Sequence, residues 1–82
     1  MLRSHEALWR IAMINEIGFV AGDIWQYLDN HHNHSMKLSK LVAELDKPRD
    51  VIVMSVGWLA REGHLILERD EHDYRIHLRR SS

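Results

Sequence analysis

The sequence predicts an α+β fold, a three-helix core followed by a β-hairpin, and three observations carry that prediction. Apolar residues recur at helical spacing through residues 17–28, 41–45 and 52–59. The last two of these segments are joined by only Asp46, Lys47 and Pro48, a tight turn. After Gly63 the apolar period drops from 3.6 residues to 2, as a half-buried hairpin requires. Two helices on a short turn with a hairpin behind them make a winged helix-turn-helix, here with an additional helical segment in front.

That leading segment, residues 1–14, is an N-terminal extension. Ala7, Leu8, Ile11 and Ala12 fall at helical spacing, while Trp9, Met13 and Ile14 lie off that stripe. A segment apolar on more than one side is expected to pack on the domain or on another copy of it. The first core helix is expected from residue 15 to 30, with Ile17, Val20, Ala21, Ile24 and Leu28 buried and Trp25 beside them. Gly18 and Gly22 each cost about 1 kcal/mol against Ala, and close approach of a neighbouring element would explain both. The polar run from Asp29 to Ser35 ends the helix.

Met36, Lys37 and Leu38 read as a short strand that would pair with the hairpin. Ser39 is the expected N-cap of a second helix through Leu45, buried along Leu41, Val42 and Leu45. Asp46 is expected to cap the third helix and Pro48 to occupy its first turn. That helix should stop at Gly63. Val51, Ile52 and Val53 are β-branched and favour a strand locally, but the length of the segment and the Gly63 stop favour a helix. Its inner stripe is Ile52, Ser55, Val56 and Leu59, with Trp58 alongside. Leu65, Leu67, Tyr74, Ile76 and Leu78 alternate with polar neighbours on the hairpin, around a turn at Asp70, Glu71, His72 and Asp73. The expected core is Ile17, Val20, Ala21, Ile24, Leu28, Leu38, Leu41, Val42, Leu45, Ile52, Val56, Leu59, Leu65, Leu67, Ile76 and Leu78, with Trp25 and Trp58 largely buried.

At 82 residues the chain holds one domain, spanning 1–82. It has no cysteine, which excludes disulfides and thiolate metal sites. No run is long and apolar enough for a membrane span, and the polar N-terminus lacks a signal-peptide pattern, so a cytoplasmic protein is expected. Eleven Lys and Arg stand against twelve Asp and Glu, a formal net charge of -1, so any nucleic-acid face must be a local patch.

Two blocks resemble a known family. Ala21-Gly22-Asp23-Ile24-Trp25-Gln26-Tyr27-Leu28 is similar to the first-helix signature of a small prokaryotic winged helix-turn-helix family of uncharacterised function. Gly57-Trp58-Leu59-Ala60-Arg61-Glu62-Gly63-His64-Leu65 is similar to its second signature, where the third helix runs into the wing. The resemblance spans roughly residues 17–78. It implies the fold and homodimerisation, and no particular ligand or DNA site.

Function is read first as DNA binding by a transcriptional regulator. The third helix would enter the major groove, presenting Asp50, Val53, Met54, Gly57 and Arg61. Lys37, Lys40, Lys47 and Arg49 would contact phosphates near the motif, with Arg61 on base or backbone, and Arg69 and Arg75 would do so from the wing. Against this, groove reading favours Arg, Lys, Asn and Gln, and the wing tip carries Asp70, Glu71 and Asp73. The alternative is a protein-interaction or dimerisation module without specific DNA binding, using Val53 and Met54 with Trp9, Met13, Ile14 and Phe19 as apolar interface residues. His31, His32 and His34 share one loop, but no helical His pair or zincin spacing accompanies them, so a solvated loop and no metal or other cofactor is expected. No phosphate loop, cysteine nucleophile or triad pattern is present, and the chain is read as a binding module rather than an enzyme.

Overall fold

The computed structural model describes residues 4–31 and 33–79, with side chains from Met13 onward. Helix α1 spans Ser4–Asn30, strand β1 Ser35–Lys37, helix α2 Leu38–Glu44, helix α3 Arg49–Arg61, and strands β2 and β3 Leu65–Asp70 and Asp73–Leu78. The strands form one antiparallel sheet in the order β1-β3-β2. Ser35 pairs with His77 and Lys37 with Arg75, while Leu65 pairs with Leu78 and Asp70 with Asp73. This is the expected winged helix-turn-helix, an α+β fold of three helices and a small three-stranded sheet.

Its core is a single cluster. Val20, Ala21, Ile24 and Leu28 come from α1, Leu41 from α2, Val51, Ile52, Val56 and Leu59 from α3, and Met36, Leu65, Ile76 and Leu78 from the sheet. Ser55 is fully buried where α3 meets α1, and its Oγ donates to the Ile17 carbonyl oxygen at 3.2 Å. A small residue there lets the two helices close, and the hydroxyl does not stay unsatisfied. Leu38, Val42 and Leu45 are only half-buried, at the edge of the cluster. Ile17 is half-buried as well.

Several local expectations change. The extension and the first core helix are one continuous helix, because nothing around Ile14 and Asn15 breaks the pattern: neither is Gly or Pro, and Asn costs well under about 1 kcal/mol inside a helix. Helix α2 starts at Leu38, one residue before the expected cap, so Ser39 lies inside the first turn and α2 has no side-chain cap of its own. Asp46 does not cap α3. The N-cap position falls on Pro48, whose carbonyl oxygen accepts the first helical bond from the Ile52 N–H at 3.0 Å.

The end of α3 matches expectation. Gly63 takes φ +84°, its N–H donates to Ala60 O at 3.1 Å, and the His64 N–H donates to Leu59 O at 2.9 Å. These two nested bonds satisfy carbonyls that the helix end would leave open.

In the polar loop after α1, His34 is held by hydrogen bonds. His34 adopts φ +53°, its N–H donates to His31 O at 2.9 Å, and its carbonyl accepts from the Leu78 N–H at 2.9 Å. Its ring Nδ1 lies 3.2 Å from Leu28 O, and a carbonyl can only accept, so that nitrogen carries the proton. His34 therefore ties the end of α1 to β3. Among the described residues no group of three or more His, Cys, Asp or Glu is placed to hold a metal ion. His32 lies outside them.

Candidate macromolecule-binding face

Helix α3 carries its outward row as the spacing predicted: Asp50, Val53, Met54, Gly57 and Arg61 are all exposed. Asp50 in the first turn and Arg61 in the last both complement the helix dipole. Between α3 and the hairpin runs a cleft of about 310 Å³, lined by Leu38, Val53, Gly57, Leu67, Tyr74 and Ile76, with Val56 at its base. Leu67 was expected in the core and is 41% exposed. It shares a sheet face with Ile76 and Leu65, and of the α3 residues that line the cleft with it, Gly57 has no side chain and a Cβ there would meet nothing within 4 Å. The outcome is an apolar notch on the face that a groove-reading helix would present.

The cations around this face are mostly engaged. Lys37 Nζ lies 3.6 Å from Asp70, Lys40 lies 3.7 Å from Glu44 one helical turn away, and Lys47 of the α2–α3 turn lies 3.7 Å from Asp23 of α1. Tyr27 of α1 also donates its hydroxyl to Glu44. On the wing, the Arg69 guanidinium stacks 5.5 Å from the Tyr74 ring centroid and donates to its hydroxyl at 3.4 Å. Arg75 is half-buried opposite Glu68 in the strand register. Arg49 and Arg61 are exposed and have no ion pair among the described residues. Lys37, Arg75 and Glu68 stand in register and alternate with Met36, Ile76 and Leu67, so they belong to the sheet face turned away from the cleft, and the expected DNA residues do not converge on one patch of unpaired positive charge. Each exposed pair is worth only about 0–1 kcal/mol, so it restrains its lysine weakly.

The acidic wing tip is likewise partly spoken for. Asp73 turns back from the hairpin onto α2: its carboxylate accepts from Ser39 Oγ at 2.5 Å and from the Ser39 N–H at 3.2 Å, and also from the Tyr74 N–H at 2.8 Å. It supplies from a distant strand the cap that α2 lacks locally. Sequence spacing could not reveal this, since the partners are 34 residues apart. The Ser39 hydroxyl first, then the Tyr74 and Ser39 N–H groups and the Lys37 charge, hold the Asp73 carboxyl below its ordinary value of 3.8. A lowered pKa means that Asp73 stabilises the fold above its unfolded value near 3.8. That contribution is lost as pH falls through the lowered, folded value. Asp73→Asn is expected to lower the urea midpoint near neutrality and to flatten its fall on acidification. An unchanged acid limb in a urea series would remove Asp73 from this role.

The other expected interface residues lie elsewhere. Ile14 and Phe19 are 68% and 76% exposed on α1, and Met13 is half-buried. The Trp9 side chain lies outside those described. Trp25 and Trp58 were expected to be buried and are instead 39% and 49% exposed. Both border an open groove on α1, away from the α3–wing cleft. Gly18 and Gly22 line that groove, and a Cβ on either would meet nothing within 4 Å, so close approach within this chain does not explain them.

The model of a winged helix-turn-helix domain family, DUF2582, matches residues 12–78. The chain belongs to that family. A relative is the "Uncharacterized protein MJ1608" of Methanocaldococcus jannaschii, 27% identical over 67 residues that cover 82% of this chain and 96% of that protein. No solved structure matches at a comparable level. The family's matched span begins within α1, so the front of that helix falls outside it. No helix among the described residues is long and apolar enough to cross a membrane.

Proposed function

We propose that the domain is a cytoplasmic binding module, not an enzyme, and that the α3–wing cleft docks an apolar segment of a partner protein. The observation that carries this reading is the apolar cleft itself, which Val53 and Gly57 of the row that would read bases line together with Leu67 and Tyr74 of the hairpin. An apolar anchor seated in a small pocket is the usual centre of a protein interface. In this reading the domain works in pairs, as the sequence led us to expect.

A second reading, double-stranded DNA binding by a transcriptional regulator, is favoured by the helix-turn-helix arrangement with exposed Arg49 and Arg61 at the two ends of α3. Phosphates could also draw Lys37, Lys40 and Lys47 out of their weak pairs. Fold analogy alone is a thin warrant for that activity.

Fluorescence anisotropy with random-sequence duplex DNA, at low and physiological salt, separates the two. The protein-docking reading expects no binding at either salt. Binding that weakens steeply with salt would overturn it. In that event, neutralising Lys47 and Arg49 together should weaken binding to every sequence and reduce the salt slope by about 1 for each phosphate that is no longer neutralised. The protein-docking reading also expects Val53→Glu with Met54→Glu to leave the fold intact, since both are 40% exposed, and to abolish partner capture.

A further inference from the structure

The face of α1 that carries Gly18 and Gly22 is open and largely apolar. Two adjoining cavities of about 570 and 450 Å³ run along it and share Gly18 and Trp58. Ile14 and Phe19 flank the first cavity, and Trp25 flanks the second. No Asp, Glu, Lys or Arg lines either one, in a chain where 28% of residues are charged. Ile14, Phe19, Trp25 and Trp58 together leave roughly 500 Å² in water, given about 150–250 Å² for a full aromatic side chain. A patch of that size on a small monomer is usually functional.

We propose that this groove receives the α1 helix of a second copy of the chain, the two helices crossing antiparallel at Gly18. The inference deepens the pairing assumed above and does not depend on what the α3 face binds. Three features select a second copy over another partner. The first is self-complementary spacing. Ile14 lies four residues before Gly18 and Gly22 four residues after it, so an antiparallel crossing at Gly18 lays each Ile14 over the other chain's Gly22. A two-fold interface requires this reciprocity. The glycines supply holes that no side chain of their own chain fills, and a side chain inserted into such a hole is the packing unit of paired helices.

The second feature is length. Helix α1 runs 14 residues ahead of Gly18 and 12 beyond it, so two antiparallel copies overlap along nearly their whole length. The third is charge and area. Between Ile14 and Gly22, the stretch that meets itself in this crossing, no charged residue lines the groove, so no like charges are opposed there. The four side chains, at roughly 500 Å² per copy, reach the total of about 1,000 Å² that a specific interface must clear.

Sedimentation equilibrium of the full chain tests the proposal. The wild type is expected as two chains at micromolar concentration. Gly18→Glu is expected to raise the dissociation constant about 30-fold or more, the size of a hot-spot loss. The substitution is free of clashes within one chain, because the space around Gly18 is open. Ile14→Glu, on an exposed position, is a second variant with the same expected effect, and circular dichroism confirms that both keep their helices. A wild type of one chain overturns the proposal and the pairing together. Dimers that survive both substitutions overturn this surface alone. If Val53→Glu with Met54→Glu then gives monomers, the pairing is real but runs through α3.

Discussion

Leu59→Ala is expected to lower the stability of the domain by about 2–5 kcal/mol, the range for removing a large buried aliphatic side chain. Leu59 is 3% exposed and belongs to the core shared by α1, α3 and the sheet. Its carbonyl also receives the His64 N–H that closes the end of α3. At roughly 0.05–0.15 kcal/mol per residue, a chain of this length has only about 4–12 kcal/mol to lose. Thermal denaturation followed by circular dichroism should therefore show the midpoint falling by roughly 10 °C or more. Met54→Ala, on the exposed side of the same helix, should stay within about 0.5 kcal/mol of wild type. Equal melting of Leu59→Ala and wild type would mean that α3 does not pack through this residue.

The second large effect is expected at Ser55. It is fully enclosed at the crossing of α3 with α1, and its hydroxyl bonds to Ile17 O. Ser55→Leu forces added volume between two closely packed helices and removes the hydrogen bond, a combined cost of about 2–4 kcal/mol. Ser55→Ala loses only the hydrogen bond, about 0.5–1.5 kcal/mol, because the Ile17 carbonyl sits within a helix that offers it another donor. The expected order in urea denaturation is thus wild type, Ser55→Ala, Ser55→Leu. Folded Ser55→Leu molecules should also lose binding at the α3–wing cleft, since the wedge would turn α3 relative to the hairpin. A Leu variant as stable as wild type would show that the crossing is loose.

Much of this architecture was legible because it rests on periodicity. The stripes in α1 and α3, the hairpin alternation and the Gly63 stop each follow from local rules, and the core residues Ile24, Leu28, Leu41, Ile52 and Ile76 are fully buried as expected. The features that periodicity does not reach depend on distant pairs. The cap on α2 comes from Asp73, whereas local spacing pointed to Ser39, which is the donor in that hydrogen bond. Helical position alone placed Trp25 and Trp58 inside, but burial also needs a covering neighbour, and Gly18 and Gly22 cover nothing. Leu67 likewise lies on an open cleft that no neighbour fills. The candidate face was legible as a row of residues on α3. Its charge balance was not, because the partners of Lys37 and Lys47 lie 33 and 24 residues away in sequence.

The unbroken passage of α1 through Ile14 and Asn15 has a consequence for changes in chain length. A residue inserted or deleted ahead of the core cannot be absorbed by a loop there. It would turn everything in front of it by about 100° around the helix axis and shift it by about 1.5 Å. Insertions of seven residues nearly restore the original facing, whereas two residues point the leading segment to the opposite side. Relatives that differ in length at this point should therefore differ in steps close to whole turns, or else present a different side of the same helix to their surroundings.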